Sequence, residues 1–485
     1  MQFSLLRQIA LATSCALAGC TVGPDYVAPP LEAPDAWHRE VVADLDGQRL
    51  EAWWSLLGDP HLEDLIVRAG SGNLDLRQAF ERVNEAMAQR GVAASNRWPQ
   101  TEGLGGASTN AASERVQPQL QGNQFNAYQL GVSGSWEIDA FGRITRLIES
   151  AEAGLAAQLE AYRDVMVVLY AEVGIQYIEL RTLRERLRLT EENIRLQETT
   201  LQLTRDRSAA GLVSDLDVRQ AELNLARTRS VAPSLRAAIA ATSFRIAVLC
   251  GDRPSEVGLG PALSAEGPLS LPERTVLTSP LDALRRRPDL RAAERRLAAE
   301  IASIGVAEAD LYPRFALLGS MTFEGIDGNL GDTFAGDSLS SSFGPSFRWN
   351  LLNGERVHSQ IDAQIARADQ ARTGYEQAVL RALEDVEASL AAYAEETLRL
   401  EQLEASVRAA QQSVELVETL YRTGSVDFQN VLDTQRALAT QQDEAAVSRG
   451  LILKNLIRLF RALGGGWAES HSLGTSDQAP LAQAI

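Results

Sequence analysis

The sequence predicts a mixed α and β fold in which long α-helical coiled-coil hairpins and short β-hairpins are laid down twice along one chain. Three observations predict it. Leu400, Leu403, Val407, Ala410, Val414, Val417 and Tyr421 recur at alternating spacings of three and four, and Leu183, Leu187, Thr190, Ile194, Gln197 and Leu201 do the same upstream. An apolar period of about 3.5 residues on a helix of about 3.6 residues per turn imposes a left-handed supercoil. Tyr128, Leu130, Val132, Trp136 and Ile138 instead alternate with Gln129, Gly131, Ser133, Ser135 and Glu137, the period of a strand with one apolar face. Finally, Leu76-Arg77, Ala79, Arg82, Gly91-Val92-Ala93 and Pro99 recur 214 residues on as Leu290-Arg291, Ala293, Arg296, Gly305-Val306-Ala307 and Pro313, while Gly211 and Val213 match Gly424 and Val426 at an offset of 213. Near-constant offsets over so much chain indicate an internal duplication.

With 485 residues and 45% hydrophobic content the chain can bury substantial cores. Its 6% aromatic content and 36 glycines suit thin, alanine-rich packing. A formal charge of -18 argues against a nucleic-acid binder, because neutralising phosphates needs a concentrated basic surface that no stretch supplies.

Residues 1–19 read as a signal peptide: Arg7, then an apolar run from Ile9 to Leu17 too short to span a membrane. The ending Leu17-Ala18-Gly19-Cys20 resembles the bacterial lipoprotein box, which implies a covalent lipid on Cys20; Thr21 behind it matches the pattern that permits transfer to the outer membrane. The plainer reading is a secretory signal cleaved nearby. Cys250 is then the remaining thiol, and no intrachain disulfide is expected. Residues 20–52, with Pro24, Pro29, Pro30 and Pro34, read as an extended arm.

Residues 53–98 carry the first short helices: Asp59 caps and Pro60 opens one, and Asn73 caps a second that runs to about Asn96. Residues 99–141 form the first β-hairpin, with Thr101 to Thr109 a glycine-rich partner for the strand at 128–138. Residues 142–250 form the first helical hairpin. Arg143 to Ala210 contains no proline, and a helix of that length runs on the order of 100 Å. Gly211 ends it, Ser214 caps the return, and Pro233 is expected to break or kink the second helix. Residues 251–284 read as a crossover. The plan then repeats: a short helix in 285–312, a β-hairpin in 313–351 carrying Phe315, Leu317, Met321 and Phe323 followed by Leu339, Phe343, Phe347 and Trp349, a helical hairpin in 352–464, and a disordered tail over 465–485.

These pieces imply a pore. No mature run reaches 18 consecutive apolar residues, which excludes a helical span, whereas the strands have the length and alternation of outer-membrane strands. Four strands leave two open edges, and unpaired backbone groups in hydrocarbon cost several kcal/mol each. Three chains supply twelve strands and close the wall, so the predicted assembly is a homotrimeric outer-membrane β-barrel, four strands per chain, continued by a long α-helical coiled-coil periplasmic barrel. The bland alternative is a soluble coiled-coil protein with two small β-hairpins.

At this point a family is visible. Trp53-Trp54 with Asp59-Pro60, the block Arg286-Arg287-Pro288-Asp289-Leu290-Arg291-Ala292-Ala293-Glu294, Gly305-Val306-Ala307 with Tyr312-Pro313, Asn353-Gly354, and Tyr421-Arg422-Thr423-Gly424 leading to Val431-Leu432-Asp433-Thr434-Gln435-Arg436 resemble the TolC-like outer-membrane factor family. The resemblance is to its lipoprotein branch, which serves resistance-nodulation-division efflux systems. It covers nearly all the mature chain and implies a trimeric outer-membrane channel of a tripartite efflux system, exporting passively the small molecules that an inner-membrane pump delivers through a periplasmic adaptor (membrane fusion) protein. It also implies a belt of short helices from residues 60–98 and 285–312; Ala69-Gly70-Ser71-Gly72 is richer in glycine than the family's usual link there.

Gly211 and Gly424, with Leu212, Val213, Ser425 and Val426, form the hairpin tips and the expected adaptor contacts; turn geometry alone also explains the two glycines. Asp215, Asp217, Asp427 and Asp433 follow those tips. Helix capping accounts for such positions; the resemblance adds that acidic residues here line a closed periplasmic mouth, which makes Asp427 the leading gate candidate and Arg422 its nearest counter-charge. Trp136, Phe347 and Trp349 suit an aromatic girdle, with core packing as the alternative. The arginine block reads as a structural ion-pair net. His38, His61, His358 and His471 are isolated and lack metal-ligand spacing, and no phosphate loop or nucleophile elbow occurs, so neither an enzyme nor a metal or other cofactor is expected. Competing readings are the outer-membrane component of a type I secretion or ABC-linked exporter and a non-conducting periplasmic scaffold.

Overall fold

The structure is a computed structural model that describes residues 21–38, 43–44, 50–111, 124–254, 275–326, 334 and 338–467. Residues 1–19, expected to be a signal peptide, Cys20 and the tail from residue 468 lie outside the described residues. The chain divides into two compact units, one built from residues 1–29, 82–159 and 292–376 and the other from 30–81, 160–291 and 377–485.

In chain order the strands are β1 (Ala43–Asp44), β2 (Gln100–Ala111), β3 (Gln124–Ile138), β4 (Thr275–Val276), β5 (Arg314–Ile326) and β6 (Leu339–Arg348). The α-helices are α1 (Pro60–Gly72), α2 (Leu74–Ser95), α3 (Arg143–Ala209), α4 (Asp215–Leu249), α5 (Pro280–Arg286), α6 (Pro288–Glu308), α7 (Gly354–Arg422) and α8 (Phe428–Ala462). The hairpin helices run 67 and 35 residues in the first half and 69 and 35 in the second.

The helix ends follow from local chemistry. Asp59 accepts the His61 amide at 3.0 Å with Pro60 at the first position of α1, and Asn73 Oδ1 accepts the Leu76 amide at 2.9 Å to start α2. Ser279 caps α5 by accepting the Asp282 amide, with Pro280 behind it, so the final residues of the expected crossover are helical. Ser214 stands at the N-cap of α4 but its hydroxyl makes no capping bond.

The first unit holds a four-stranded antiparallel sheet in the order β2-β3-β5-β6, so the two β-hairpins join through β3 and β5. In the second unit Trp53, fully buried, stacks on Phe460 at 5.9 Å. A Cβ at Gly174 would lie 2.7 Å from the Trp53 ring, which explains a glycine inside α3; Gly154 has no such neighbour. The glycines of α1 are explained in the same way: Gly70 faces the Tyr170 hydroxyl at 2.7 Å and Gly72 the Cys250 carbonyl at 2.3 Å from their absent Cβ positions.

Residues carrying the family motifs form buried polar hubs in this unit. The Asp59 carboxylate accepts from Tyr177 Oη at 2.6 Å and Arg181 Nη1 at 2.8 Å, and burial, followed by that bond to Asp59, pushes the Tyr177 hydroxyl pKa upward. Arg287 forks onto Asp289 at 3.1 and 2.8 Å, reaches Asp385 at 3.1 Å and donates to the Ala462 carbonyl at 3.0 Å. The arginine block is thus a structural net.

Two expectations are corrected. α4 continues through Pro233 without a break, because the adjoining Ala232 and Leu235 are buried and packing outweighs the missing backbone donor. The tail does not begin at Gly465: the Gly466 amide donates to the Leu50 carbonyl at 2.9 Å, and Trp467 is buried under Arg163 and Arg291. Cys250 is 4% exposed. By length and composition α4 alone among the described helices also meets the test for a membrane span. Val218, Ala221, Leu225, Leu235 and Ile246 on it are buried within the unit, while Leu223, Val231, Phe244 and Val248 lie 41–49% exposed.

Candidate functional site

Residues directly opposite in an antiparallel ladder point to the same side of the sheet. The register pairs Leu130 with Phe323, Val132 with Met321, Trp136 with Leu317 and Ile138 with Phe315; it continues Phe323 to Leu339, Gly319 to Phe343 and Phe315 to Phe347. The separate alternations therefore merge into one apolar face, and that face is uncovered: Val132 is 58%, Met321 51% and Phe343 81% exposed. The opposite face carries Ser133, Ser320, Ser342 and Glu102, with Ser320 bonded to Ser342 at 2.8 Å and Ser133 donating to Glu102 at 3.1 Å. Leu104 and Leu318, with the smaller Ala127 and Ala316, are apolar residues on it. β2 and β6 are the outer strands, with no further strand beside them among the described residues.

The end of this sheet where β2 and β5 begin and β3 and β6 finish is ringed by exposed aromatic residues. Trp136 and Trp349 are 38% and 48% exposed and Phe347 71%, which removes core packing as the explanation for these three. Trp136 Nε1 donates to the Arg97 carbonyl and Trp349 Nε1 to the Leu311 carbonyl, each at 2.9 Å. Both donors and both acceptors are duplicated positions. Trp98 and Tyr312, also exposed, belong to the same end; in the sequence Tyr312 stands out only as part of a family motif and Trp98 not at all, although Trp98 lies 214 residues before Tyr312.

In the second unit the hairpin tips have matching Schellman geometry. Gly211 (φ 70°) and Gly424 (φ 78°) are left-handed, the Leu212 amide donates to the Arg207 carbonyl at 2.9 Å, and the Ser425 amide donates to the Leu420 carbonyl at 2.8 Å. Beneath them Leu201, Val218, Leu225, Tyr421, Phe428 and Val431 form a tip core. Val213 and Val426 pack against that core, so they are not fully exposed contacts as expected; Leu212 (68% exposed), Ser425 and the two glycines are the surface.

The four aspartates are brought to the two returns but differ in their partners. Asp215 lies 3.5 Å from Arg219, and Asp433 accepts from Gln429 at 3.0 Å with Arg436 at 3.8 Å. Asp427 stands at the N-cap of α8 without a capping bond, and no ion pair to Asp217 or Asp427 occurs among the described residues. Within the chain Arg422 is exposed and reaches none of the four. Arg207 is the cation that ties the tips together instead, with its guanidinium 4.6 Å over the Tyr421 ring and donating to the Tyr421 carbonyl. No local pattern in the sequence marked it: at the offset of 213 that relates Gly211 to Gly424, its counterpart in the second half is Leu420.

A sheet apolar on one face, polar on the other and open at both edges, in a chain with helical hairpins of this length, defines the wall segment of an outer-membrane channel. The chain belongs to the outer membrane efflux protein family, whose model matches residues 65–252 and 280–465. It is 30% identical to Nodulation protein T of Rhizobium leguminosarum bv. trifolii, over 94% of this chain and 96% of that protein. It is likewise 30% identical to Outer membrane protein OprJ of Pseudomonas aeruginosa, over 96% of each. Among solved structures, the outer-membrane channel OprN superposes with a TM-score of 0.82 at 33% identity, over 92% of this chain and 100% of that one. The protein is an outer-membrane efflux channel that extends into the periplasm.

Proposed function

We propose that this chain is the outer-membrane duct of a tripartite efflux system. Three copies complete a twelve-stranded barrel, each contributing the sheet β2-β3-β5-β6, and their helical hairpins continue the duct through the periplasm. Small molecules pass down it passively after a resistance-nodulation-division pump has delivered them through an adaptor protein. The observation that carries this reading is the register-aligned apolar face bounded by two open edge strands: only neighbouring copies satisfy those backbone groups in hydrocarbon. The exposed apolar row of α4, Leu223, Val231, Phe244 and Val248, supports it as a surface that a neighbouring copy covers.

Within that reading Cys20 carries the lipid, and Trp136, Phe347 and Trp349 sit in the aromatic girdle. Gly211, Leu212, Gly424 and Ser425 meet the adaptor, with Val213 and Val426 supporting them from beneath. Threefold symmetry gathers Asp427, with Asp433, Asp215 and Asp217, around the periplasmic mouth, where like charges favour cations and oppose closure; Arg422, exposed and without an ion pair among the described residues, is available to an adjacent copy. Purified mature protein reconstituted in a planar bilayer tests the proposal: a trimer that conducts ions supports the duct, and a stable soluble monomer without conductance rules it out.

A further inference from the structure

The first six described residues are held in place by a built site in their own unit. The Arg146 side chain, 5% exposed, donates Nε to the Val22 carbonyl at 3.0 Å and Nη2 to the Gly23 carbonyl at 3.1 Å and to Asp25 Oδ1 at 2.7 Å, while Nη1 is held by Glu149 at 2.8 Å. The Val22 amide donates to the Phe141 carbonyl at 3.2 Å. Three glycines make the approach possible. A Cβ on Gly23 (φ 90°) would lie 2.3 Å from Gly305 Cα, one on Gly142 (φ 77°) 2.6 Å from the Thr21 side chain, and one on Gly305 2.8 Å from the Arg146 stem. Tyr26 closes the segment, its hydroxyl donating to Glu294 at 2.8 Å and its ring lying 5.8 Å from the Arg295 guanidinium.

We propose that Arg146, Gly142 and Gly305 form a receptor groove for the chain's own mature N-terminus, which seats residues 21–26 as a strap and fixes the acylated residue at the aromatic end of the sheet. The placement follows from Phe141, whose carbonyl holds Val22 and whose ring stacks on Tyr312 at 4.6 Å. Thr21, the residue after Cys20, thus lies beside the aromatic ring of side chains. A strap without slack sets the depth at which the acyl chains enter the bilayer to that of the girdle residues. Arg146 is a positioning residue here. Three of its four contacts go to the strap, two carbonyls and one carboxylate, and the fourth to Glu149 one turn along its own helix. The lipid itself rests on the acylation of Cys20 proposed above; the groove does not.

A nitroxide at Val27→Cys, 79% exposed, in a Cys250→Ala background reads strap mobility by electron paramagnetic resonance, and mass spectrometry of the N-terminal peptide reads acylation separately. Gly23→Val, which alters only the strap, and Arg146→Leu should each shorten the nitroxide correlation time several-fold with acylation unchanged. Inserting Gly-Ser-Gly after Cys20 should leave the nitroxide restricted, because the groove contacts persist. Asp25→Asn, which keeps the fold and weakens one contact, should give intermediate mobility if Arg146→Leu does not accumulate. Unchanged mobility in Gly23→Val and Asp25→Asn, or a mobile nitroxide in the insertion variant, overturns the groove. Loss of acylation with a restricted nitroxide would sink the lipid reading alone.

Discussion

Two adjacent residues of β3 separate a lipid-facing wall from a soluble sheet. Val132 lies near the middle of the strand, opposite Gly103 and Met321, and is 58% exposed on the apolar face. If that face meets hydrocarbon, Val132→Arg places a guanidinium near the bilayer midplane at a cost of about 2–4 kcal/mol per chain, roughly 6–12 kcal/mol for three copies. If the face meets water, the same change at an exposed site costs within about 0.5 kcal/mol. Ser133→Arg points to the other face, where Glu102 lies 3.1 Å from the serine hydroxyl, and it should insert normally while altering conductance. Refolding into lipid vesicles across a urea series, scored by the heat-modifiable mobility of the folded trimer, measures both. A Val132→Arg protein that inserts as well as its parent, or a Ser133→Arg protein that is the more damaged, would refute the assignment of the two faces.

Other outcomes follow from individual groups. Asp427→Ala removes one negative charge per subunit from the mouth, so closure should become easier and the cation current of the reconstituted channel should fall; an unchanged current takes Asp427 out of the gate. Asp59→Ala removes the cap of α1 and the carboxylate shared by Tyr177 and Arg181, both at most 8% exposed, and should cost about 3–5 kcal/mol. Asp59→Asn, which keeps an acceptor, should cost less than half as much, and denaturation followed by helical circular dichroism distinguishes them from a loss under about 1 kcal/mol, which would contradict the hub. Burial pushes the Cys250 thiol from its ordinary 9.0 up to about 11. The folded chain therefore holds that proton more tightly than the unfolded chain, so this stabilisation is complete below pH 9.0 and is lost as pH rises to about 11. Over that window the parent should lose about 2 kcal/mol relative to Cys250→Ala; a pH-independent difference between the two proteins would count against the buried thiol.

Much of this architecture was legible because each element carries a local period. Alternation at 128–138 and 315–323 became β3 and β5, with the predicted residues on one face. The three-four seam ending at Tyr421 faces inward, with Leu400, Val414 and Tyr421 buried. Gly211 and Gly424 announced both tips, since a helix ending in a left-handed residue favours glycine wherever it occurs. Reading failed where one residue answers to another far along the chain. Pro233 reads as a breaker because propensity is local, whereas the helix runs through it with the adjoining Ala232 and Leu235 buried. Gly70 and Gly72 read only as a departure from the family's usual link, yet they admit Tyr170 and Cys250. Arg422 drew the eye by its place beside Gly424, whereas Arg207, from the other hairpin, is the one that reaches Tyr421.

The amino-acid order by itself determined the parts: helix and strand periods, caps, turns, the doubled plan and the family, all of which follow from interactions among near neighbours or from repetition. Tertiary structure alone decided the pairing of β3 with β5, the seating of the N-terminal strap at Arg146 and the cation beneath the tips. Such contacts join residues 121 to 214 positions apart, and no local preference records which distant group will satisfy a buried charge or an open backbone edge; that choice is made only when the elements are packed together.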